Sequence, residues 1–542
     1  MTERRSYVLV AVAVLLVGFA TRTIPLYWSP LPFNLDGFHF AALARDALKS
    51  GHLPVKRGFQ PDEYSFTVLL ATTSRLTGVS PLYIAQFLTA SVGAITCLFV
   101  VLVTRGVGRR LGWSVSNVRA AMTVAGLVVA TEGIFLGRSA AVSSEGVGHV
   151  FVVMSVFAFA YALWTNRPSW FVLTGIIFVA FPLTHNLSTI IGFLTCVSLL
   201  TLYLGTSRSR SSVVAGVLIV GFCAYSVLYY AVTGMEATRI SSAPGLFVAW
   251  IIVLVLLTRW LPTTNPRLQY GVPSVVLLGG AGLVVGNHFV PIFPGTASSE
   301  IITMLFILPI AAIGIVAARG VPIPIEGGVE GYATLAMLLG SLTLIGFALT
   351  GGLTVEYQAL AVRGHTYVHL SFPILAGLGV VALGAKSDTD RLKTAVIVFV
   401  IVCSLVSAPL AFSGLRATSA QPLVTQPQLE SAAFASTHAD GWTSDGHMTR
   451  LSSRYYTERT GSNVSERGVY EWLRGSGAEP RCPVVARRSW TTVGVQLFPA
   501  TPGHVTPAAY DRFTARRNVV YSVGGGSEQI VLSVPEAGRA HC

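Results

Sequence analysis

Long apolar stretches alternate with short polar segments along most of the chain, up to about residue 412. About 13 of these stretches approach the roughly 20 residues that a helix needs to cross the hydrocarbon core of a bilayer. The pattern predicts a mainly α, polytopic membrane domain over residues 1–412. Residues 413–542 are more polar and carry helical and strand-like patterns, which predicts a small mixed α/β domain.

Two apolar segments near the N-terminus are not expected to cross the membrane. Phe38–Ser50 has apolar residues at helical spacing and predicts an amphipathic helix lying at the membrane surface. Tyr64–Leu76 is apolar but short, which predicts a re-entrant or half-buried helix. In the tail, the patterns predict helices at Leu429–His438 and Ser465–Leu473, and strands at Pro483–Ala486, Asn518–Val523 and Gln529–Val534.

The distribution of basic residues predicts the orientation of the chain. Its formal net charge is +13, although only 11% of its residues are charged and its mean hydropathy is +0.64. Most Lys and Arg residues fall in alternate loops, and Met1–Arg5 is basic, so the N-terminus is expected inside. This bias accounts for the net charge without a nucleic-acid partner. The chain is expected to be a multi-pass protein of the cell membrane, with the C-terminal domain and loops 25–63, 137–145, 291–300 and 351–366 on the extracytoplasmic side.

The external loops carry polar residues that packing alone does not require. Asp36 and His39 follow the first span, and Arg138 and Glu145 lie between the third and fourth. Each carboxylate also has a structural interpretation. Asp36 suits a helix N-cap, and Glu145 suits the first turn of the fourth span, where the helix dipole favours an acid.

Three further basic or imidazole side chains are expected on the same side. Arg363 and His365 precede the twelfth span, and His185 lies between the fifth and sixth. Taken alone, Arg363 suits a headgroup anchor and His185 a satisfied interfacial histidine. Taken together, these residues can bind the phosphate of a lipid-linked donor, because a guanidinium pairs with phosphate oxygens in a forked geometry. Asp36 and Glu145 can act as a base toward an acceptor or hold a divalent cation.

The topology and these motifs resemble the GT-C superfamily of membrane glycosyltransferases, and within it the catalytic subunit of archaeal and bacterial oligosaccharyltransferase. Asp36–Phe40 resembles the first-loop Asp and aromatic residues of that family. Arg138–Gly146 is similar to its second-loop motif shortened by two residues, and Thr296–Glu300 resembles its Ser/Thr-x-x-Glu element. The resemblance covers most of the membrane domain. It implies about 13 spans, a cytoplasmic N-terminus, an external C-terminal domain and a polyprenyl-phosphate carrier.

Two departures from the family motifs bear on function. Ser143 stands where the second-loop motif has Asp, which weakens metal binding. Gly441–Gly446 matches only faintly the Trp-Trp-Asp-Tyr-Gly element that reads peptide acceptors. The resemblance therefore implies a simpler inverting glycosyltransferase, which moves a sugar from a polyprenyl (dolichyl) phosphate to a lipid-linked glycan or a protein glycan.

In that interpretation Asp36 is the base and Glu145 supports it. If an ion such as Mg²⁺ or Mn²⁺ is required, the same two carboxylates are its expected ligands. The side chains expected to bind the donor lipid phosphate are His39, Arg138, His185, Arg363 and His365.

Three other functions stay open at this point. They are an oligosaccharyltransferase acting on protein Asn, a non-catalytic binder of a lipid-linked glycan, and a transporter or flippase. Transporters usually place ionisable residues inside their spans near the midplane, whereas the charges here concentrate in loops. Cys482 and Cys542 both lie in the external tail, and the sequence leaves open whether they form a disulfide.

Overall fold

The structure is a computed structural model, and it describes residues 2–53, 60–206, 210–235, 240–292, 304–384, 390–413, 421–456, 463–465, 467–473, 478–497 and 503–536. The first 413 residues are almost entirely helical. Their helices are α1 (Thr2–Thr23), α2 (Asp36–Ser50), α3 (Tyr64–Thr77), α4 (Pro81–Arg110), α5 (Val115–Thr131), α6 (Gly133–Ala140), α7 (Ser144–Thr165), α8 (Pro168–Ala180), α9 (Asn186–Thr206), α10 (Arg210–Thr233), α11 (Pro244–Trp260), α12 (Pro266–Phe289), α13 (Ile307–Gly320), α14 (Gly328–Gly351), α15 (Val355–Val368), α16 (Phe372–Gly384) and α17 (Asp390–Ser407).

The predicted polytopic architecture is confirmed. Within the described residues, ten helices are long and apolar enough to cross a membrane, and twelve if each of two bent helix pairs counts as one span. Helix α8 is a further apolar helix of 13 residues. Each predicted span thus corresponds to one helix or one bent pair, and most of the buried apolar side chains of these helices belong to one continuous core.

Two of the spans are broken near the same end of the bundle. Helices α5 and α6 meet at an angle of 57°, and α15 and α16 meet at 48°. These breaks change the expected loops. Arg138 lies in the last turn of α6 rather than in a loop, and most of segment 351–366 is helix α15. Segment 351–366 is helical because Tyr357 and Ala361, one turn apart, bury themselves against the membrane core.

The two predicted helices between the first spans are present as α2 and α3. Helix α2 is buried on two sides, because Phe38 packs in the core of the C-terminal unit and Phe40 packs in a separate cluster with Phe66 of α3. Its first turn fits tightly against the loop before α7, because a Cβ atom on Gly37 would lie 2.5 Å from Cβ of Pro32 and 2.9 Å from Cβ of Val142. A glycine at this position therefore allows Asp36 to start the helix close to α6 and α7.

The C-terminal residues fold around a mixed sheet of five strands in the order β2-β1-β3-β5-β4. The β1–β2 and β1–β3 pairs are parallel, and the β3–β5 and β4–β5 pairs are antiparallel. The elements are α18 (Gln426–His438), β1 (Gly441–Thr443), α19 (Gly446–Tyr455), β2 (Asn463–Ser465), α20 (Arg467–Leu473), β3 (Val484–Arg487), α21 (Pro507–Ala515), β4 (Arg517–Val523) and β5 (Ile530–Pro535). The three predicted strands are β3, β4 and β5, and the two predicted helices are α18 and α20.

This C-terminal α/β unit packs on the first loop of the membrane domain. Asn34 donates its N–H to the Pro422 carbonyl at 2.9 Å, and Ser29 Oγ donates to the Val424 carbonyl at 2.6 Å. Helix α19 contacts α2 through the edge-to-face rings of Phe38 and Tyr455. Asp36 therefore lies where the two parts of the chain meet. Elsewhere in the unit, Cys482 takes part in a disulfide, and Cys542 lies outside the described residues.

Candidate active site

The Glu145 carboxylate is the centre of a buried ionic cluster at the start of α7. Arg138 donates to it from Nε at 3.0 Å and also from its Nη2 group. Arg363 Nη2 lies 3.6 Å from the same oxygen, and Thr366 Oγ1 donates to the other oxygen at 3.1 Å. The Glu145 side chain is 2% exposed, while those of Arg138 and Arg363 are 35% and 40% exposed. The carboxylate is thus enclosed, whereas both guanidinium groups reach the surface of the site.

His185 extends this cluster on the side of Arg363. Arg363 Nη2 donates to His185 Nε2 at 2.8 Å, and the other ring nitrogen lies 2.9 Å from Ser188 Oγ. Ser188 is in turn 2.5 Å from the hydroxyl of Tyr367. Burial, reinforced by the charge of Arg363, lowers the pKa of His185 to about 3. The imidazole is therefore neutral at physiological pH and accepts a hydrogen bond from the arginine.

Several polar atoms at this place have no partner among the described residues. They are buried and belong to Arg363 Nε, Ser143 Oγ and Asp62 Oδ1. Asp62 accepts from the Asn186 N–H at 3.3 Å through its other oxygen. Burial raises the pKa of Asp62 to about 6, although the Asn186 N–H and the charge of Arg363 act against this shift. Buried polar groups are normally paired, so unpaired donors beside two arginines are typical of a site that receives a polar ligand.

Asp36 stands beside this cluster but is held by different partners. It is the first residue of α2, and Leu35 stands at the N-cap position before it. Its carboxylate accepts from Asn34 Nδ2 at 3.1 Å and forms an ion pair with Arg454 of α19. With 46% of its side chain exposed, Asp36 is accessible, and its charge acts on Arg138.

Gln86 fixes the first loop against the end of α6. Its side-chain oxygen accepts from the Phe33 N–H at 3.0 Å, and its side-chain nitrogen donates to the Ala140 carbonyl at 2.9 Å. The Val142 N–H donates to the Phe33 carbonyl at 2.9 Å. These bonds bring the loop that carries Asp36 to the segment between Arg138 and Glu145.

The two remaining histidines proposed from the sequence lie away from Glu145. His39 Nε2 is 3.0 Å from a carboxylate oxygen of Glu63, on the side of α2 that faces the next loop. His365 packs its ring 4.9 Å from that of His369. His369 Nδ1 in turn lies 2.9 Å from Glu132 Oε2. The described contacts therefore group Arg138, Glu145, His185 and Arg363, and do not bring His39 or His365 to them.

The segment Gly441–Gly446 forms part of the core of the C-terminal unit. Trp442 and Asp445 are both fully buried. Asp445 accepts from the Met448 N–H at 3.3 Å and from Trp490 Nε1 at 3.2 Å, and it forms an ion pair with Arg487. This segment therefore holds the sheet together and does not present its side chains to a peptide.

The carboxylates proposed as metal ligands do not converge on a cation site. Asp36 faces Arg454, and Glu145 faces Arg138 and Arg363, so guanidinium groups occupy the positions that a metal ion would need. Among the residues that the structure describes, no group of three His, Cys, Asp or Glu side chains could hold a metal ion. Thr296–Glu300, which resembles a family loop motif, lies outside the described residues. The carboxylate and imidazole groups of the described residues therefore do not fit a divalent cation.

Sequence reasoning missed several groups that complete the site. Asp62 lies at the end of the predicted loop 25–63, where the sequence assigns it no role, and Glu132 lies inside an apolar stretch that is expected to span the membrane. Arg454 is 418 residues from its partner Asp36, so no local pattern connects the two. A signal did exist for Glu132, because an acid inside an apolar span is rare and usually functional.

No protein-family model and no curated protein matches the sequence. The structure is similar to the apo crystal structure of the oligosaccharyltransferase of Archaeoglobus fulgidus, with a TM-score of 0.54 and 11% identity over 90% of this chain and 70% of that chain. The same archaeal protein in complex with Zn and sulfate gives a TM-score of 0.50 and 13% identity over 84% of this chain and 62% of that chain. A mycobacterial arabinofuranosyltransferase structure, AftD, matches with a TM-score of 0.47 and 14% identity, over 99% of this chain and 42% of that chain.

The archaeal structures establish the fold. The chain shares the fold of this archaeal oligosaccharyltransferase, as the resemblance of its motifs predicted.

Proposed function

We propose that this chain, which has the GT-C fold, is a glycosyltransferase of the cell membrane. It moves a sugar from a polyprenyl-phosphate-linked donor to a lipid-linked glycan or a glycoprotein on the extracytoplasmic face. The observation that carries the proposal is the convergence of Arg138 and Arg363, both partly exposed, on one enclosed carboxylate at the end of an apolar bundle. Two guanidinium groups at such a place suit a phosphate whose lipid tail lies in the bilayer.

The charge of this cluster favours a monophosphate over a diphosphate. Arg138 and Arg363 contribute two positive charges, Glu145 removes one, and His185 is neutral because its pKa is about 3. The groups that contact Glu145 therefore leave one positive charge for the ligand. A sugar linked to a polyprenyl monophosphate carries one negative charge, whereas a diphosphate linkage carries two. The donor proposed is accordingly a polyprenyl-phosphate sugar.

Asp36 is the proposed general base. Its exposed carboxylate takes the proton of the acceptor hydroxyl as the acceptor oxygen bonds to the anomeric carbon. The bond between that carbon and the phosphate oxygen breaks, and the polyprenyl phosphate leaves with the electron pair. Arg138 and Arg363 stabilise the negative charge that develops on the leaving phosphate. Attack from the face opposite the phosphate inverts the anomeric configuration.

Oligosaccharyl transfer to protein Asn is a second candidate, because the fold is like that of an archaeal oligosaccharyltransferase. The burial of Trp442 and Asp445 weighs against a peptide-reading role for that segment. The two candidates differ in the acceptor, so one experiment separates them.

The test compares two radiolabelled donors of the same chain length, a polyprenyl-monophosphate sugar and a polyprenyl-diphosphate sugar. Membranes containing the protein are supplied with either a lipid-linked glycan or a sequon peptide. The proposal expects transfer from the monophosphate donor to the glycan. Transfer from either donor to the peptide and not to the glycan would replace it with the second candidate. Transfer to the glycan from the diphosphate donor alone would contradict the proposed donor, and no transfer in any combination would contradict both candidates.

A further inference from the structure

Glu132 and His369 stand at the two breaks in the broken spans. Glu132 separates α5 from α6, and His369 follows α15 just before the chain turns into α16. The two residues are 237 positions apart in sequence, yet His369 Nδ1 lies 2.9 Å from Glu132 Oε2. Both side chains are essentially excluded from solvent, at 2% and 0% exposure. The two broken spans are thus joined at their breaks.

The same carboxylate also sets the start of α6. Glu132 adopts an extended backbone and accepts hydrogen bonds from the N–H groups of Ile134 at 2.8 Å and Phe135 at 3.1 Å. It therefore fixes the direction in which the short helix leaves the break. On the other side, Phe135 stacks on the His369 ring at 6.3 Å and Phe372 lies 5.3 Å from it, so the imidazole has little freedom to turn.

The two helices that meet at this pair, α6 after Glu132 and α15 before His369, carry the two arginines of the site. Arg138 lies six residues after Glu132 on α6, and Arg363 lies six residues before His369 on α15. At a rise of 1.5 Å per residue, the Cα atom of each arginine lies about 9 Å from the break along its helix. Helices α6 and α15 are thus in contact at two places. The Glu132–His369 pair joins them at the breaks, and the Glu145 carboxylate joins Arg138 to Arg363 at the other end.

A requirement for stability alone does not account for a buried pair of this kind. Removing a carboxylate and an imidazole from water costs free energy that offsets their attraction, and apolar side chains of similar size often serve stability as well. The close contact between these two polar groups does set the distance between the two breaks. This matters because a small error at the breaks is carried outward to the ends of both helices.

We propose that Glu132 and His369 are positioning residues that set the separation of Arg138 and Arg363 for the donor phosphate. The inference rests on the proposed function, since it assigns the phosphate to these two arginines. Neither residue touches the ligand. Glu132 acts through α6 and His369 acts through α15. The loss of either residue removes the same contact and so the same constraint on the separation of Arg138 and Arg363.

The test measures binding of decaprenyl phosphate to the full-length protein in nanodiscs, with thermal unfolding measured in parallel. The variants are Glu132→Gln, His369→Gln and the double substitution. Glu330→Gln is the matched control, because it breaks the Arg110–Glu330 pair at the far end of α4 from Pro81. Each single variant is expected to weaken binding by about tenfold or more, in the range expected for a misplaced binding group. The double variant is expected to weaken it no further than the stronger single variant.

Equal affinity in wild type and both single variants would overturn the positioning role. The role would also be overturned if the losses of affinity of the two single variants added fully in the double variant, or if Glu330→Gln lost as much affinity as they do. If a Gln variant does not fold, Glu132→Asp provides the same test. It keeps the charge and shortens the side chain, so its expected loss of affinity is intermediate. Wild-type protein that fails to bind decaprenyl phosphate would overturn the proposed function itself, and this inference with it.

Discussion

Arg363 donates a hydrogen bond from Nη2 to Nε2 of His185 over 2.8 Å, which fixes the imidazole as an acceptor. Burial and the neighbouring guanidinium hold the pKa of His185 at about 3. A histidine that stays neutral between pH 5 and 8 cannot protonate a leaving group in that range. Its role in the proposed site is to orient Arg363.

The first prediction concerns the pH dependence of transfer. His185→Gln keeps a side-chain oxygen that can accept from Arg363, so we expect kcat/KM to fall by about tenfold at most. The shape of the pH–rate profile between pH 5 and 8 should be the same as in wild type. A limb with an apparent pKa near 6.5 that is present in wild type and lost in the variant would show that His185 titrates during turnover.

The second prediction concerns the selectivity for the donor. Glu145→Gln removes the negative charge that Arg138 and Arg363 share, and so leaves two positive charges at the phosphate position. We expect the preference for a polyprenyl monophosphate over a diphosphate, measured by competition binding, to fall by about tenfold or more. Stability should also fall, because the two partly exposed arginines lose the carboxylate that pairs with both.

Glu330→Gln is the control for this variant as well, since it breaks a partly buried arginine–carboxylate pair elsewhere in the bundle. It should lower stability without changing the ratio of the two affinities. An unchanged ratio in Glu145→Gln would contradict the charge argument for a monophosphate donor.

The third prediction concerns Asp62, whose pKa is raised to about 6 chiefly by burial. Its folded-state pKa exceeds the ordinary value of 3.8, so the folded protein binds more protons than the unfolded chain between these two values. The stability contributed by protonated Asp62 is therefore present below pH 3.8 and is lost as pH rises through 6. Asp62→Asn should therefore stabilise the protein at pH 8 by on the order of 2 kcal/mol. At pH 4 the two proteins should unfold at nearly the same temperature.

The measurement is the difference in unfolding temperature between Asp62→Asn and wild type from pH 4 to pH 8. The Asn side chain keeps an oxygen that can accept from the Asn186 N–H. A difference that does not grow with pH would mean that Asp62 is ionised at little cost in the folded protein.

The local pattern predicted the elements that depend on local periodicity. Apolar runs located the spans, helical spacing located α2, and short strand-like runs located β3, β4 and β5. Strands β1 and β2 were missed because each has only three residues, too few to show a period of two. The breaks were also missed, since an apolar run gives no sign of a bend of 57° within it.

The sequence predicted which residues lie on one side of the membrane but not which of them are in contact, because the contacting residues are far apart in the sequence. Residues in external loops could be assigned to one side of the membrane from the charge bias alone, which is how Arg138, Glu145, His185 and Arg363 were selected. Which of them touch is decided by helix packing, and the periodicity of one segment does not contain that information. The Asp36–Arg454 and Glu132–His369 pairs join segments hundreds of residues apart, so neither could be read from the sequence.

The fourth prediction separates the chemical role of Asp36 from its structural one. The Asp36–Arg454 pair is partly exposed on both sides, and such pairs contribute about 1 kcal/mol or less to stability. Arg454→Gln removes this pair but leaves the carboxylate. It should therefore change the unfolding temperature little and keep transfer within about tenfold of wild type.

The most direct measurement compares Asp36→Asn with Arg454→Gln in one transfer assay, using a radiolabelled polyprenyl-phosphate sugar and a lipid-linked glycan acceptor. Both variants lose the same ion pair, and only the first loses the carboxylate. The account predicts that Asp36→Asn lowers the rate of transfer by about 100-fold or more, as expected for a lost general base, while Arg454→Gln does not. Transfer by Asp36→Asn at the rate of Arg454→Gln would contradict the assignment of Asp36 as the base.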